Sequence, residues 1–130
     1  MFTSAKDLIA KKTDIIKRLD DKLVVQVGDL GDWQFNVPTA EDVLDAKKYG
    51  ETHNTAEDNG DSFLVYSLCV EPNLHDEELQ KAMGAHGASI LYKILRSGEV
   101  DELARALMLK AGYYGANDIV IKGAEQVKNS

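Results

Sequence analysis

The stretch that decides the fold is residues 74–114, LHDEELQKAMGAHGASILYKILRSGEVDELARALMLKAGYY. Glycines divide it into three short helical patterns, and Gly98 is expected to end the second of them. The last pattern is the clearest, because its apolar residues recur at the three-and-four spacing of an amphipathic helix. These residues are Val100, Leu103, Ala104, Leu107, Met108 and Ala111. The pattern predicts a helix that buries one stripe and presents a surface for contacts.

The residues before this helix also favour helical structure. Asp76 is expected to cap a helix that ends at Gly84, and residues 88–95 are expected to form another. The segment Ser62–Val70 contains a continuous apolar run, which fits either a buried strand or a buried helix. A helix ended by Pro72 is favoured, because no nearby turn offers the run a hairpin partner.

The first third of the chain predicts a helix followed by a hairpin. Ser4 is expected to cap the helix, whose apolar stripe consists of Leu8, Ile9, Ile15, Ile16 and Leu19. β-branched and aromatic residues then flank the glycine-rich turn 28–32, and Trp33, Phe35 and Val37 alternate with polar residues. This arrangement indicates a β-hairpin with one buried face.

A further helix follows the hairpin. Thr39 with Asp42 resembles a capping box, and the helix is expected to stop near Gly50. Residues 51–61 contain almost no apolar side chains, so a solvated, mobile loop is predicted there.

The fold class predicted from these elements is α+β, mainly α: a small helical domain with an N-terminal β-hairpin. A chain of 130 residues has the length of one ordinary domain. Its predicted parts are a basic amphipathic helix (1–21), the hairpin (22–38), a helical body (39–115) and a C-terminal tail (116–130). In the tail, residues 119–121 are expected to add a short strand or helical turn, and residues 127–130 to fray.

The composition of the chain indicates the cellular compartment in which the protein is expected. The longest apolar run, Phe63–Val70, is far shorter than the roughly 20 residues that a membrane helix needs, so no membrane association is expected. The N-terminus lacks the apolar core of a signal peptide. The single Cys69 has no partner for an internal disulfide. We therefore expect a cytoplasmic protein.

The net charge of −7 argues against nucleic acid as a partner, because affinity for phosphate depends on clustered basic side chains. The charge is unevenly distributed: residues 1–19 hold five basic residues against two acidic ones. The basic first helix is expected either to dock on the acidic body or to hold an acidic partner.

No set of residues predicts catalysis, so the chain is not expected to be an enzyme or to bind a cofactor. Cys69 lies in an apolar run, where burial makes a poor thiolate. His75 precedes three acidic residues, and a metal site there is conceivable. Acidic residues that favour a helix start are the simpler explanation, and no metal is predicted.

Four apolar residues are predicted to bind a partner. Leu109 lies off the stripe of its helix, and Tyr113 and Tyr114 lie in a turn between two glycines. Met83 lies at the end of an earlier helix, and aromatic residues and methionine are enriched at protein interfaces. The alternative is that they are singly exposed apolar residues without a function.

Several motifs in this order resemble the XkdN-like phage tail assembly chaperones of tailed phages and prophages of Gram-positive bacteria. They are Val70-Glu71-Pro72 with Leu74, Leu79–Gly84, Ile94-Leu95 before Ser97-Gly98-Glu99 and Leu103, Ala111-Gly112-Tyr113, and Val127-Lys128-Asn129. The resemblance covers roughly the last two-thirds of the chain. Members often carry a proline before the Gly-Glu pair, where this chain has Ser97.

The resemblance implies a protein made among the tail morphogenesis genes and absent from the finished virion. Such chaperones bind the tape measure protein, keep it soluble and help to recruit tail tube subunits, and many have a longer form produced by ribosomal frameshifting. The helices of 88–114 would then supply a groove for a tape measure helix, with Leu109, Tyr113 and Tyr114 at its margin.

Two other classes of function stay open at this stage. One is a small structural or head–tail adaptor protein that is retained in the particle. The other is an acidic regulatory binding module that mimics nucleic acid. The sequence leaves the oligomeric state open.

Overall fold

The computed structural model describes residues 1–123, which contain seven α-helices and three strands. In chain order they are α1 (Ala5–Ala10), α2 (Lys12–Leu19), β1 (Lys22–Gln26), β2 (Asp32–Asn36), α3 (Ala40–Thr52), α4 (Gly60–Leu68), β3 (Cys69–Glu71), α5 (Glu77–Met83), α6 (Leu91–Ile94) and α7 (Ser97–Lys110). Two 3₁₀ turns, Gly28–Leu30 and Gly87–Ile90, complete the structure. The predicted class, α+β and mainly α with an N-terminal hairpin, is confirmed.

The three strands form one antiparallel sheet in the order β1-β2-β3. Trp33 and Phe35 of β2 are buried on its inner face, whereas Val24 of β1 lies on the outer face and is 59% exposed. The predicted alternation of the hairpin is therefore confirmed. The sheet contributes its inner face to the same hydrophobic core as the helices.

The third strand is a correction to the sequence-based expectation. Residues 62–70 are expected from the sequence to be helical throughout, but their helix, α4, ends at Leu68, and Cys69 then pairs with Phe35. Phe35 lies on β2, far away in sequence, so the absence of a nearby turn did not exclude a strand.

Helix α4 lies at the centre of the molecule and packs against both α3 and α7. Its buried side chains include Leu64, Val65 and Leu68. From α7, the predicted stripe supplies four buried residues: Val100, Leu103, Ala104 and Leu107. Met108 and Ala111 are half-buried, so the expected inner face of α7 is confirmed.

The segment between α3 and α4 is shorter than predicted. The capping box of Thr39 and Asp42 is present, but α3 continues to Thr52 instead of ending near Gly50, and α4 begins at Gly60. The connection is tied down by hydrogen bonds. The Tyr49 hydroxyl donates to the Asp58 carboxylate, and this bond raises the pKa of Tyr49 to about 12.

The segment from α5 to α7 contains one wrong prediction. Asp76 caps α5, and Gly84 ends it in the left-handed conformation, as expected. Residues 88–95 are divided between a 3₁₀ turn and the short helix α6. Gly98 does not end this segment, because it lies in the first turn of α7. Helix α6 ends without glycine, with Leu95 in an extended conformation.

The two ends of the chain also differ from prediction. Ser4 forms the predicted cap, but the first helix is divided into α1 and α2 at Lys11. Neither helix has a buried residue, so their apolar stripe does not dock on the body. Residues 119–121 form neither strand nor helix, and the predicted fraying of 127–130 lies outside the described residues.

Candidate interaction surfaces

One exposed aromatic surface is the turn after α7, residues 112–115, which we call the aromatic turn. Tyr114 is 68% exposed and has a φ of 59°, and Tyr113 is 37% exposed. The two ring centroids lie 6.5 Å apart, and the Arg105 guanidinium lies 5.8 Å from the Tyr114 ring centroid. The Asn117 side-chain amide donates to the Gly112 carbonyl at 2.8 Å. These contacts hold the turn in a defined shape at the end of α7.

Acidic residues lie beside the aromatic turn. Asp61, Asp101 and Arg105 line a shallow depression of about 140 Å³ together with Met108 and Tyr114. Partial burial and the nearby charge of Asp101 raise the pKa of the Asp61 carboxyl. The aromatic turn therefore combines apolar ring surface with charges of both signs.

The structure brings three of the four predicted contact residues to one region. Leu109 is half-buried near the end of α7, directly before the aromatic turn with Tyr113 and Tyr114. Met83 is 41% exposed but belongs to α5, which packs against the 3₁₀ turn Gly87–Ile90. It therefore lies on a separate element from the two tyrosines.

A second apolar surface is the N-terminal arm, defined here as residues 1–19. Every residue of the arm is exposed. Its largest exposed apolar side chains are Met1, Phe2, Leu8, Ile9, Ile15, Ile16 and Leu19. A stripe of this size on a folded helix normally faces a partner.

A third surface is a groove between the end of β1 and α7, which we call the β1–α7 groove. Its volume is about 180 Å³. Its lining is mostly apolar, with two glutamates, and consists of Val25, Gln26, Val27, Gly28, Glu99, Glu102, Leu103 and Ala106. Sequence reasoning missed this groove.

Comparison with known proteins identifies the family. The family model of phage XkdN-like tail assembly chaperone proteins matches residues 3–128. The chain belongs to this family. The match extends the resemblance found in the sequence to the N-terminal arm and the hairpin. No curated protein and no solved structure gave a significant match.

The protein is thus a phage tail assembly chaperone by family. In residues 1–123, no helix is long and apolar enough to cross a membrane. The same residues contain no group of three or more histidine, cysteine or acidic side chains placed to hold a metal ion. His75 instead packs against Tyr66, with ring centroids 4.1 Å apart.

The single cysteine of this tail assembly chaperone lies in an environment that disfavours its thiolate form. Cys69 is buried at the start of β3, and its thiol donates to the Pro72 carbonyl at 3.3 Å. Burial and the charge of Glu71 raise its pKa to about 12. A thiol that stays protonated at neutral pH is a weak nucleophile.

The Cys69 thiol is expected to react slowly with a disulfide reagent in the folded protein. A pKa raised from 9 to about 12 lowers the thiolate fraction near pH 8 roughly a thousandfold. The stabilisation linked to this pKa is complete below pH 9 and is lost as the pH rises towards 12. Labelling rates in buffer and in concentrated urea measure the difference, and equal rates would contradict the burial of the thiol.

The surfaces found by sequence reasoning are those with a local signal. The aromatic turn lies between two glycines, and the stripe of the N-terminal arm has helical spacing. The β1–α7 groove joins residues about 75 positions apart in the chain, and no local pattern relates Val25 to Glu102. The only sequence feature that pointed to this groove is the acidic character of the first turns of α7.

Proposed function

We propose that this tail assembly chaperone binds the tape measure protein of its phage in the host cytoplasm and acts without catalysis. In this proposal it keeps the tape measure protein soluble until tail tube subunits assemble around it. The observation that carries the proposal is the aromatic turn, an exposed apolar surface held in place at the end of α7. A long helical partner with exposed apolar stripes fits such a surface.

Charge supports the same proposal. The chain carries a net charge of −7, and a charged partner keeps an apolar protein in solution. The Arg105 guanidinium beside the Tyr114 ring adds a polar contact at the margin. Tyrosine and arginine are the residue types that most often dominate the energy of protein interfaces. Leu109, directly before the turn, would extend this apolar contact, and Met83 would make a separate contact from α5.

The test is co-expression with the tape measure protein from the same operon. The variant Tyr113→Ser/Tyr114→Asn removes both rings, and asparagine accepts the positive φ found at Tyr114. Loss of one interface hot spot costs about 2 kcal/mol, so Kd is expected to rise about 30-fold or more. The tape measure protein should then be recovered mainly in the insoluble fraction.

The matched control is Leu44→Asn, which removes an apolar side chain of α3 that is 50% exposed. It should leave the tape measure protein as soluble as with the wild-type chaperone. If the double tyrosine variant does the same, the aromatic turn is not the binding surface. If the wild-type chain gives no more soluble tape measure protein than an empty vector, the proposed function is wrong.

A further inference from the structure

The N-terminal arm is an amphipathic element without a covered face. Within it, Ile9 and Leu19 are each 73% exposed, and no residue of α1 or α2 is buried. Helices of six and eight residues are too short to be stable alone in water. Their helical state therefore points to a surface that covers the apolar stripe.

Charge indicates what kind of surface this is. The arm holds five basic and two acidic residues, which gives +3, and since the whole chain carries −7, residues 20–130 carry −10. The body of this chain is thus complementary in charge to its own arm. Oppositely charged surfaces attract and orient each other before contact.

The β1–α7 groove offers both an apolar surface for the stripe of the arm and negative charge for its basic residues. Its lining includes the apolar side chains of Val27, Leu103 and Ala106 and the acidic side chains of Glu99 and Glu102. Helix α2 has eight residues and is about 12 Å long. From Glu99 to Ala106, α7 rises about 10 Å, so the groove and α2 match in length.

The arm is held away from the groove of its own chain. Directly after the arm, Asp21 forms an ion pair with Lys110 at 2.8 Å, at the C-terminal end of α7. Arg18 lies 3.5 Å from Asp118, beyond that same end. The groove is lined by the N-terminal half of α7, from Glu99 to Ala106. The arm therefore leaves the body at the opposite end of α7 from the groove.

We propose that the N-terminal arm of one copy docks in the β1–α7 groove of a second copy. The exchange is mutual, so that two arms fill two grooves and form a closed two-fold dimer. The apolar stripe of the arm covers the apolar lining of the groove, and its lysines face Glu99 and Glu102. The groove uses the N-terminal half of α7, whereas the aromatic turn proposed to bind the tape measure protein follows the C-terminal end of this helix.

The test measures mass in solution by light scattering after size exclusion, at about 100 µM protein and low salt. The wild-type chain is expected to be a dimer. The variant Ile9→Asp/Ile16→Asp places charges on the exposed stripe, and Glu102→Lys/Ala106→Lys blocks the groove. Each is expected to raise the dimer Kd at least about 100-fold and to give a monomer. Leu44→Asp, on an exposed site of α3, should remain a dimer.

Mixing the two monomeric variants separates this arrangement from other ways of dimerising. The groove variant has an intact arm, and the arm variant has an intact groove. One arm can therefore fill one groove, and a one-to-one complex is expected on mixing. Circular dichroism of each variant alone verifies that its body is folded. The proposal is overturned by a monomeric wild-type chain, by a groove variant that still dimerises, or by failure of folded variants to pair.

Discussion

Replacing Phe35 with alanine is expected to lower the free energy of unfolding by about 3–5 kcal/mol. Phe35 is fully buried at the centre of the sheet, where it lies opposite Leu23 on β1 and Cys69 on β3. Its ring also lies 6.5 Å from the Trp33 ring, centroid to centroid. Both neighbouring strands hold the backbone of β2 in place, so the structure cannot collapse fully around the missing ring. The loss is large against the 5–15 kcal/mol that is usual for a whole domain, as order of magnitude.

Urea denaturation followed by circular dichroism and by the fluorescence of the single tryptophan measures this loss. Val24→Ala is the matched control, because Val24 lies on the same sheet but faces outward and is 59% exposed. It is expected to change stability by less than about 0.5 kcal/mol. A cost below about 1 kcal/mol for Phe35→Ala would mean that the sheet does not form one core with the helices.

The parts of the fold that the sequence predicted are those governed by residues close to one another. The stripe of α7 follows from spacings of three and four residues, and the N-caps Ser4 and Thr39 each bond a residue three positions on. The hairpin likewise depends on one glycine-rich turn. In each case the residues that interact are within one element or next to it.

One error arose where a distant residue decides the outcome, and another arose at a glycine with two local interpretations. Cys69 forms a strand because Phe35 is available to pair with it. Gly98 resembled a helix stop, but the first turn of a helix tolerates glycine, and α6 had already ended at Ile94. At Cys69, pairing with a strand distant in sequence overrode the local helical tendency.

The contact surfaces, too, could be predicted from the sequence only where the residues that form them are close to one another in the chain. Tyr113 and Tyr114 were recognised because a turn between glycines leaves side chains exposed, whereas the groove beside Glu102 requires β1 to lie along α7. The basic amphipathic helix was predicted from its pattern. Whether it docks on its own body depends on where Asp21 and Lys110 place its base, which no periodicity in the sequence reveals.

Alanine substitutions at two glycines are expected to change stability in opposite directions. Gly60 begins α4 where this helix crosses α3, and a Cβ atom there would lie 2.9 Å from the Ala46 carbonyl oxygen. That oxygen belongs to the backbone of α3, so it cannot move aside unless the two helices separate. Gly60→Ala is therefore expected to lower the free energy of unfolding by about 1–3 kcal/mol.

Gly98→Ala is the matched substitution in the first turn of α7. Apart from its chain neighbours and the backbone of α7 itself, no atom lies within 4 Å of the Cβ position there, and alanine restricts the unfolded chain more than glycine does. Gly98→Ala is expected to raise the free energy of unfolding by about 0.4–1 kcal/mol. Urea denaturation of both variants measures the two changes under the same conditions. A stabilising Gly60→Ala would show that α3 and α4 are farther apart, because only their close approach distinguishes this glycine from Gly98.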